Sequence, residues 1–137
     1  MPLLAAARRR NDSMPAYVAG RVIELLGGEV DAREKTVLLI GLAHKSNSPD
    51  LKNAPSLEIA SRLDSAGVRV SAVDSLVAPD LIPERIRVLA LGEVEDARPD
   101  LAVLITAHHR GGLGLLSPLV RLLDTRAVAS RPQTVLL

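Results

Sequence analysis

The side chains best suited to hold an anion follow the first strongly apolar segment of the sequence. Residues 36–42 are almost entirely apolar, and the polar stretch behind them carries His44, Lys45, Asn47 and Asp50. A lysine ammonium offers three N–H donors to a phosphate or pyrophosphate oxygen, and an asparagine amide adds further donors. The pattern predicts a site for a phosphate-bearing ligand, with His44 placed to stack on it or bond to it. A solvated lysine beside an Asn/Asp turn explains the same spacing equally well.

Further polar groups follow later apolar segments. Asp74 ends one segment, His108 and His109 end another, and the cation Arg126 lies in or just after a third. We expect Asp74 to accept hydrogen bonds in a turn rather than to hold a ribose. Adjacent histidines on a strand point to opposite faces, so the pair is expected to be partly exposed and not to share a metal ion. The sequence supports neither a metal site nor a catalytic residue.

The elements around these residues alternate between strand and helix. Unbroken apolar runs predict strands buried on both faces, and apolar residues at helical spacing predict covering helices. The predicted strands are 36–42, 68–73, 86–91, 101–106 and 121–128. The predicted helices are 14–26, 55–63 and 115–119. Residues 1–10 are expected to extend the first helix backward, with an interruption at 11–15. This order predicts a three-layer α/β sandwich around a mostly parallel sheet, preceded by an N-terminal helix. Ligands of such sheets bind beyond the carboxyl ends of the strands, where the polar residues above lie.

Composition excludes several kinds of partner. The 137 residues carry a formal net charge of +1 and contain one tyrosine but no phenylalanine or tryptophan, so no nucleic-acid surface is expected. The apolar runs are too short, and too often broken by charge, to cross a membrane. Without cysteine there is no thiolate metal site or cysteine nucleophile, and a reducing compartment, the cytoplasm, is expected. The first strand leads into GLAHKSNSPD rather than G-x-G-x-x-G, which disfavours NAD binding by this segment.

The loop after the first predicted strand resembles a segment of one known family. The segment GLAHKSNSPDLKNAP resembles the G-x-A-(F/Y)-K-x-N-x-x-D-x-R-x-S-P pattern that opens the C-terminal domain of UDP-glucose/GDP-mannose dehydrogenases. Similar segments occur in the family's order along nearly the whole chain: NDSMPAYVAGRVIELL, AGVRVSAVDSLV, LAVLITAHH and LLDTRAV. The sequence departs from the pattern at His44 (usually an aromatic residue), Lys52 (usually arginine) and Ala54 (usually serine). The matching positions are Gly41, Ala43, Lys45, Asn47, Asp50 and Pro55.

The resemblance implies a part of a larger enzyme. Residues 1–30 are similar to the end of the central dimerisation helix, and residues 31–137 to the C-terminal UDP-binding domain, which is Rossmann-like. Family members oxidise the C6 alcohol of a UDP-hexose or UDP-N-acetylhexosamine to the uronic acid, using NAD held by an N-terminal domain and a catalytic cysteine. This chain has no cysteine and no NAD motif. The isolated chain is therefore expected to be inactive and to bind no NAD, with the other domains supplied by a longer protein or a separate chain.

The resemblance also assigns roles to individual residues. It implies that Lys45 contacts the substrate or its diphosphate, that Asp50 orders the loop, and that Arg126 reaches the nucleotide base or a domain interface. The implied substrate is a UDP-sugar, and the amino-acid sequences of the loop and of the segment NDSMP favour UDP-N-acetylmannosamine. The whole implied substrate-binding set is Lys45, Asn47, Asp50, Arg126 and His44.

Two other functions fit the sequence. One is a non-catalytic Rossmann-like interaction module, which has lost its ligand and forms a homodimer through exposed apolar residues of the N-terminal helix. Its proposed contact residues are Tyr17, Val18, Val22 and Leu25. The other is a stand-alone α/β enzyme with His108 as general base, for which the sequence offers no partner residue.

Overall fold

Six parallel strands form the centre of the computed structural model, which describes residues 2–43, 47–51, 54–108, 112–126 and 134–136, with side chains from residue 14 onward except at 136. Within the described ranges, one α-helix precedes the first strand, and two further α-helices and two 3₁₀ turns, Pro79–Leu81 and Leu113–Leu115, lie between strands. The helices are α1 Pro2–Leu25, α2 Pro55–Ser65 and α3 Leu91–Val94. The strands are β1 Thr36–Ile40, β2 Arg69–Val73, β3 Arg87–Val88, β4 Leu101–Leu104, β5 Leu122–Asp124 and β6 Thr134–Leu136.

The sheet has the order β3-β2-β1-β4-β5-β6, and every pair is parallel. Val37 of β1 lies level with Val70 of β2 and Leu101 of β4. The chain moves outward from β1 to β3 and then returns to β4 on the other side of β1. This is the order of a doubly wound, Rossmann-like fold, and its switch point lies between β1 and β4. The predicted α/β class and parallel sheet are confirmed.

Both faces of the sheet are buried, which explains why the strands read as continuous apolar runs. On one face Val37 and Leu39 pack in a cluster with residues of α1 and α2, among them Val22 and Ile59. On the other face Leu38 and its neighbours pack under α3 and the segments around the second 3₁₀ turn. The three layers are therefore unequal, since one helical layer consists of long helices and the other mainly of short elements.

The N-terminal helix differs from its prediction in two ways. It runs without interruption from Pro2 to Leu25 and includes Pro15, although a break was expected at 11–15. Val18 and Val22 are buried in the core, because α1 lies against α2, so their predicted exposure is wrong. Tyr17 is 58% exposed. The expected homodimer interface therefore loses Val18 and Val22, and the homodimer itself stays a prediction.

The last third of the chain was predicted less accurately. Within the described residues 121–126, the strand expected at 121–128 covers Leu122–Asp124, and residues 127–128 lie outside the description. The sequence does not predict β6 at Thr134–Leu136, because it is only three residues long. The helix expected at 115–119 is the 3₁₀ turn Leu113–Leu115. Pro118 explains this difference, because the residue before a proline is disfavoured in an α-helix. Among the described residues, no helix is both long and apolar enough to cross a membrane.

Candidate functional site

The loops after β1 and β4 cross closely at the switch point of the sheet. Gly41 has φ of 82°, and a Cβ added there would collide with the carbonyl oxygen of Thr106. Only glycine satisfies both conditions. The Thr106 hydroxyl donates a hydrogen bond of 2.5 Å to the carbonyl of Ala43, and the Thr106 N–H donates to the carbonyl of Ile40 at 3.2 Å. The two loops are thereby locked together where a ligand of this fold binds.

Asp74, at the carboxyl end of β2, organises both its own turn and the start of the loop after β1. Its Oδ1 accepts hydrogen bonds from the backbone N–H groups of Leu76 at 2.9 Å and Val77 at 3.1 Å. Its Oδ2 accepts from the N–H groups of Leu42 at 2.7 Å and Ala43 at 3.1 Å. The expected role as a turn carboxylate is confirmed, and the carboxylate also fixes a second loop.

The charge state of Asp74 follows from these contacts. Burial raises the pKa of its carboxyl, but the hydrogen bonds donated by Leu42, Leu76, His108 and Val77 together outweigh burial and hold the pKa below the ordinary value of 3.8. The group is therefore a buried carboxylate at neutral pH. The carboxylate accepts hydrogen bonds from the first two backbone N–H groups after Gly41. In a dinucleotide-binding loop these groups would face a phosphate.

His108 connects Asp74 to the loop after β1. Its Nε2 lies 2.9 Å from Oδ2 of Asp74, and its Nδ1 accepts a hydrogen bond of 2.8 Å from the N–H of Asn47. Because Nδ1 accepts, the proton of the neutral ring is on Nε2 and is donated to the carboxylate. The side chain is 1% exposed, so the expected exposure of His108 is wrong. His109 lies outside the described residues.

These contacts argue against His108 as a general base. Both ring nitrogens are engaged within the protein, and the side chain is buried, so no nitrogen is available to a substrate proton. The structure does supply the partner residue that the sequence could not identify, Asp74. The pair is a structural connection between the ends of β2 and β4 and the loop after β1.

Three of the five predicted binding residues are described. Asn47 and Asp50 are exposed in the loop after β1, and Asn47 has φ of 58°. Arg126 is exposed after β5, two strands and roughly 10 Å from β1, and its N–H donates to Oδ1 of Asp124 at 2.8 Å. All three lie at the carboxyl edge of the sheet. His44 and Lys45 lie outside the described residues, as does Lys52, where the sequence has lysine in place of the family's usual arginine.

The described residues between β1 and α2 do not form a dinucleotide cradle. Helix α2 begins only at Pro55, far along the chain from the strand end, and its second residue, Ser56, donates a 2.6 Å hydrogen bond back to the carbonyl of Leu42. The N–H groups of Leu42 and Ala43 are already bound to Asp74. These two backbone donors are thus unavailable to a pyrophosphate, so we expect side chains to supply ligand contacts here.

Among the described residues, open clefts lie at both edges of the sheet. One of about 420 Å³ is at the carboxyl edge beside Asp74, lined also by Val77 and Leu91. A larger one of about 520 Å³ is at the amino edge, where Thr36 and Arg87 contribute to its lining. We place the functional site at the carboxyl edge despite the larger volume opposite, because ligands of doubly wound sheets bind there. Among the described residues, no three His, Asp or Glu side chains are grouped to hold a metal ion.

The loops after β1 and β4 fall within the part of the chain that matches a known protein family. The profile described as the UDP-glucose/GDP-mannose dehydrogenase family, UDP binding domain, matches residues 38–111, more than half of the 137 residues. The chain belongs to this family. The match includes the loop after β1, the carboxylate of Asp74 and the end of β4 with His108, so the resemblance drawn from the sequence is confirmed.

Individual nucleotide-sugar dehydrogenases are similar over parts of their length. The UDP-N-acetyl-D-glucosamine 6-dehydrogenase of Pseudomonas aeruginosa is 29% identical over 107 residues, 77% of this chain and 25% of that protein. The UDP-N-acetyl-D-mannosamine dehydrogenase of Pyrococcus horikoshii is 32% identical over 76 residues, 55% of this chain and 18% of that protein. The chain thus spans about a quarter or less of the length of these relatives.

Solved structures of the family share the fold. A UDP-glucose dehydrogenase from the hyperthermophilic archaeon Pyrobaculum islandicum matches with a TM-score of 0.79 and 23% sequence identity, over 96% of this chain and 30% of that one. At that identity the similarity establishes the fold alone. It covers α1 as well as the sheet, because nearly the whole chain is included.

Two residues that organise this edge, Asp74 and His108, are not among the predicted binding residues. The sequence signals for them are an aspartate directly after a buried strand and a histidine after an apolar run without charges. Neither signal reveals that the two side chains meet, because they are separated by 34 positions and become neighbours only through the strand order.

Proposed function

We propose that this chain is the domain that holds the nucleotide end of a UDP-sugar in an NAD-dependent nucleotide-sugar 6-dehydrogenase. The observation that carries the proposal is the family match over residues 38–111, which includes both loops that meet at the switch point. The enzyme would oxidise the C6 alcohol of the sugar to the uronic acid. The chain alone would be inactive, since it has no cysteine to serve as the family's nucleophile.

Side chains around the carboxyl edge would bind the diphosphate and the base. Lys45 supplies a cation to the diphosphate, and His44 and Asn47 complete the contacts from the same loop. Asp50 orders that loop; its N–H donates to the hydroxyl of Ser48 at 3.2 Å. Side-chain recognition is favoured because the neighbouring backbone donors are already bound to the Asp74 carboxylate.

Arg126 would meet the base or a neighbouring domain. Its side chain is exposed beyond β5, at the same edge as the loop after β1 but displaced along the sheet. A guanidinium there presents several donors in a fixed plane, which suits a uracil carbonyl or a carboxylate of another domain.

NAD does not fit this domain, and its binding belongs to another part of the enzyme. The backbone N–H groups of Leu42 and Ala43 are bound to Asp74, and α2 starts too late to direct its N-terminus at a pyrophosphate. The nicotinamide domain and the central domain would come from a longer protein or from a separate chain in the cytoplasm. The names of the relatives include both UDP-N-acetylhexosamines and UDP-glucose, so the proposed substrate is a UDP-hexose or a UDP-N-acetylhexosamine such as UDP-N-acetylmannosamine.

Isothermal titration calorimetry with UDP, and with GDP as the comparison nucleotide, tests the proposal. We expect UDP to bind more tightly than GDP, and Lys45→Ala to weaken UDP binding about tenfold or more, the effect of losing one charge-assisted hydrogen bond. The matched control is Lys35→Ala, because Lys35 precedes β1 at the opposite edge of the sheet. Equal weakening by both substitutions, or none by either, would remove Lys45 from the site. Absence of UDP and UDP-sugar binding by the wild-type chain would contradict the binding function.

A further inference from the structure

We propose that His108 is a positioning residue that holds the loop after β1 in its nucleotide-binding conformation. It does so by joining the N–H of Asn47 to the buried carboxylate of Asp74. The inference rests on the proposed function and deepens it, since it names the residue that shapes the loop carrying Lys45 and Asp50. His108 itself touches no ligand, because its ring is buried and both nitrogens are used.

The anchor of this connection is rigid. Four backbone N–H groups, from two different loops, bind the carboxylate of Asp74, and Nε2 of His108 donates to the same Oδ2 that receives Leu42 and Ala43. The imidazole ring is planar and fixes the direction of its second nitrogen once the first is bound. Nδ1 therefore presents an acceptor at a defined place outside the end of β4, 2.8 Å from the nitrogen of Asn47.

The residue that receives this contact adopts an uncommon backbone conformation. Asn47 has φ of 58°, in the left-handed region that L-residues adopt at a cost, although asparagine tolerates it better than most. Its side of the loop is exposed, so solvent competes for its N–H. The hydrogen bond to Nδ1 favours the left-handed turn over extended alternatives. Lys45 is two residues away in sequence, which is why a change at this turn is expected to alter UDP binding.

Two amide substitutions of His108 separate its hydrogen bond to Asn47 from its hydrogen bond to Asp74. In His108→Asn the side-chain oxygen can take the place of Nδ1 and accept from Asn47, but the donor to Asp74 is lost. In His108→Gln the side-chain nitrogen can reach the place of Nε2 and donate to Asp74, but the acceptor for Asn47 is lost. Both changes remove the ring and shrink a buried side chain. A purely structural role for His108 predicts similar effects of the two on UDP affinity.

The expected result is a split between the variants. UDP affinity, measured by calorimetry, should fall about tenfold in His108→Gln and should stay within about threefold of wild type in His108→Asn. Thermal unfolding of both variants provides the measure of structural damage. Similar UDP affinities of the two variants, whether reduced or at the wild-type level, would overturn the inference while leaving the proposed function intact, and so would a larger loss in His108→Asn than in His108→Gln.

Nuclear magnetic resonance makes the contact visible without any nucleotide. The ¹⁵N resonances of His108 should report a protonated Nε2 and an unprotonated Nδ1, and a scalar coupling should connect the Asn47 amide nitrogen to Nδ1. A wild-type ring protonated on Nδ1 instead would overturn the inference directly. If the coupling is present but the wild-type chain binds neither UDP nor a UDP-sugar, the proposed function fails and the nucleotide-binding role of His108 fails with it, although the loop contact remains.

Discussion

Replacing Asp74 with asparagine tests how strongly the buried carboxylate holds the functional edge together. The substitution keeps the shape of the side chain but turns one acceptor oxygen into an NH₂ donor. Oδ2 serves three donors, those of Leu42, Ala43 and His108, whereas Oδ1 serves two. The amide should therefore keep its oxygen at the Oδ2 position and turn its NH₂ toward the N–H groups of Leu76 and Val77.

The magnitude follows from the bonds that this orientation destroys. Two backbone N–H groups lose a charged acceptor, and a hydrogen bond to a charged group contributes roughly 1.5–3 kcal/mol net. The three bonds that remain become bonds to a neutral amide and weaken. We expect the free energy of unfolding to fall by about 4 kcal/mol, a large share of the roughly 5–15 kcal/mol typical of a domain.

The pH dependence of this loss has a definite sign. The pKa of Asp74 in the folded chain lies below the ordinary value of 3.8 because its hydrogen bonds outweigh the effect of burial. The stabilisation by the ionised carboxylate is therefore complete above that ordinary value and is lost as the pH falls through the folded-state pKa. The difference in stability between wild type and Asp74→Asn should be constant near neutral pH and should shrink in acid below about pH 4.

Urea unfolding followed by far-ultraviolet circular dichroism is the suitable assay, because the chain has no tryptophan to report by fluorescence. Asp80→Asn is the matched control, since Asp80 is exposed and should change stability by less than about 0.5 kcal/mol. A loss below about 1 kcal/mol for Asp74→Asn, or a difference that grows as the pH falls, would refute the reasoning about the carboxylate.

Two further substitutions test the contacts around the sheet. Gly41→Ala should lower stability by about 3 kcal/mol, because it combines a positive φ with overlap on the Thr106 carbonyl, whereas Gly114→Ala, with open space around the added methyl, should change it by less than about 0.5 kcal/mol. Thermal melting compares the two, and equal shifts would contradict the close crossing of the loops. Arg121→Met removes a 2.7 Å hydrogen bond from the guanidinium to the carbonyl of Leu25 at the end of α1. It should cost about 1 kcal/mol and speed amide hydrogen exchange in the last turn of that helix, and unchanged exchange would contradict the capping role.

The sheet could be predicted because its strands are buried on both faces. Residues 36–42 and 101–106 contain short apolar runs that are typical of a covered central strand, and both segments form neighbouring central strands. Short strands could not be predicted in the same way, because a three-residue strand such as β6 is too short to show a recognisable run or alternation of apolar residues. The predicted helix break at 11–15 is also wrong, because the packing of α1 on α2 outweighs the cost of Pro15 inside the helix.

The candidate site was only half visible in the sequence. The loop containing Asn47 and Asp50 was recognised from its polar residues directly after a buried strand, and the structure places it at the expected edge. The connection of His108 to Asp74 was not recognised, because each residue has an ordinary local explanation. Their roles depend on which strands are neighbours, and the order β3-β2-β1-β4 is a property of the whole sheet rather than of any segment.

A two-dimensional amide titration of the chain with UDP, and with GDP in parallel, tests the placement of the nucleotide most directly. We predict chemical-shift changes at residues 41–43, 47–50 and 106–108 and near Arg126, larger for UDP than for GDP. Changes confined to the amino-edge cleft around Thr36 and Arg87 would contradict a site at the switch point. The absence of any change at millimolar UDP or UDP-N-acetylhexosamine would contradict nucleotide binding by this chain.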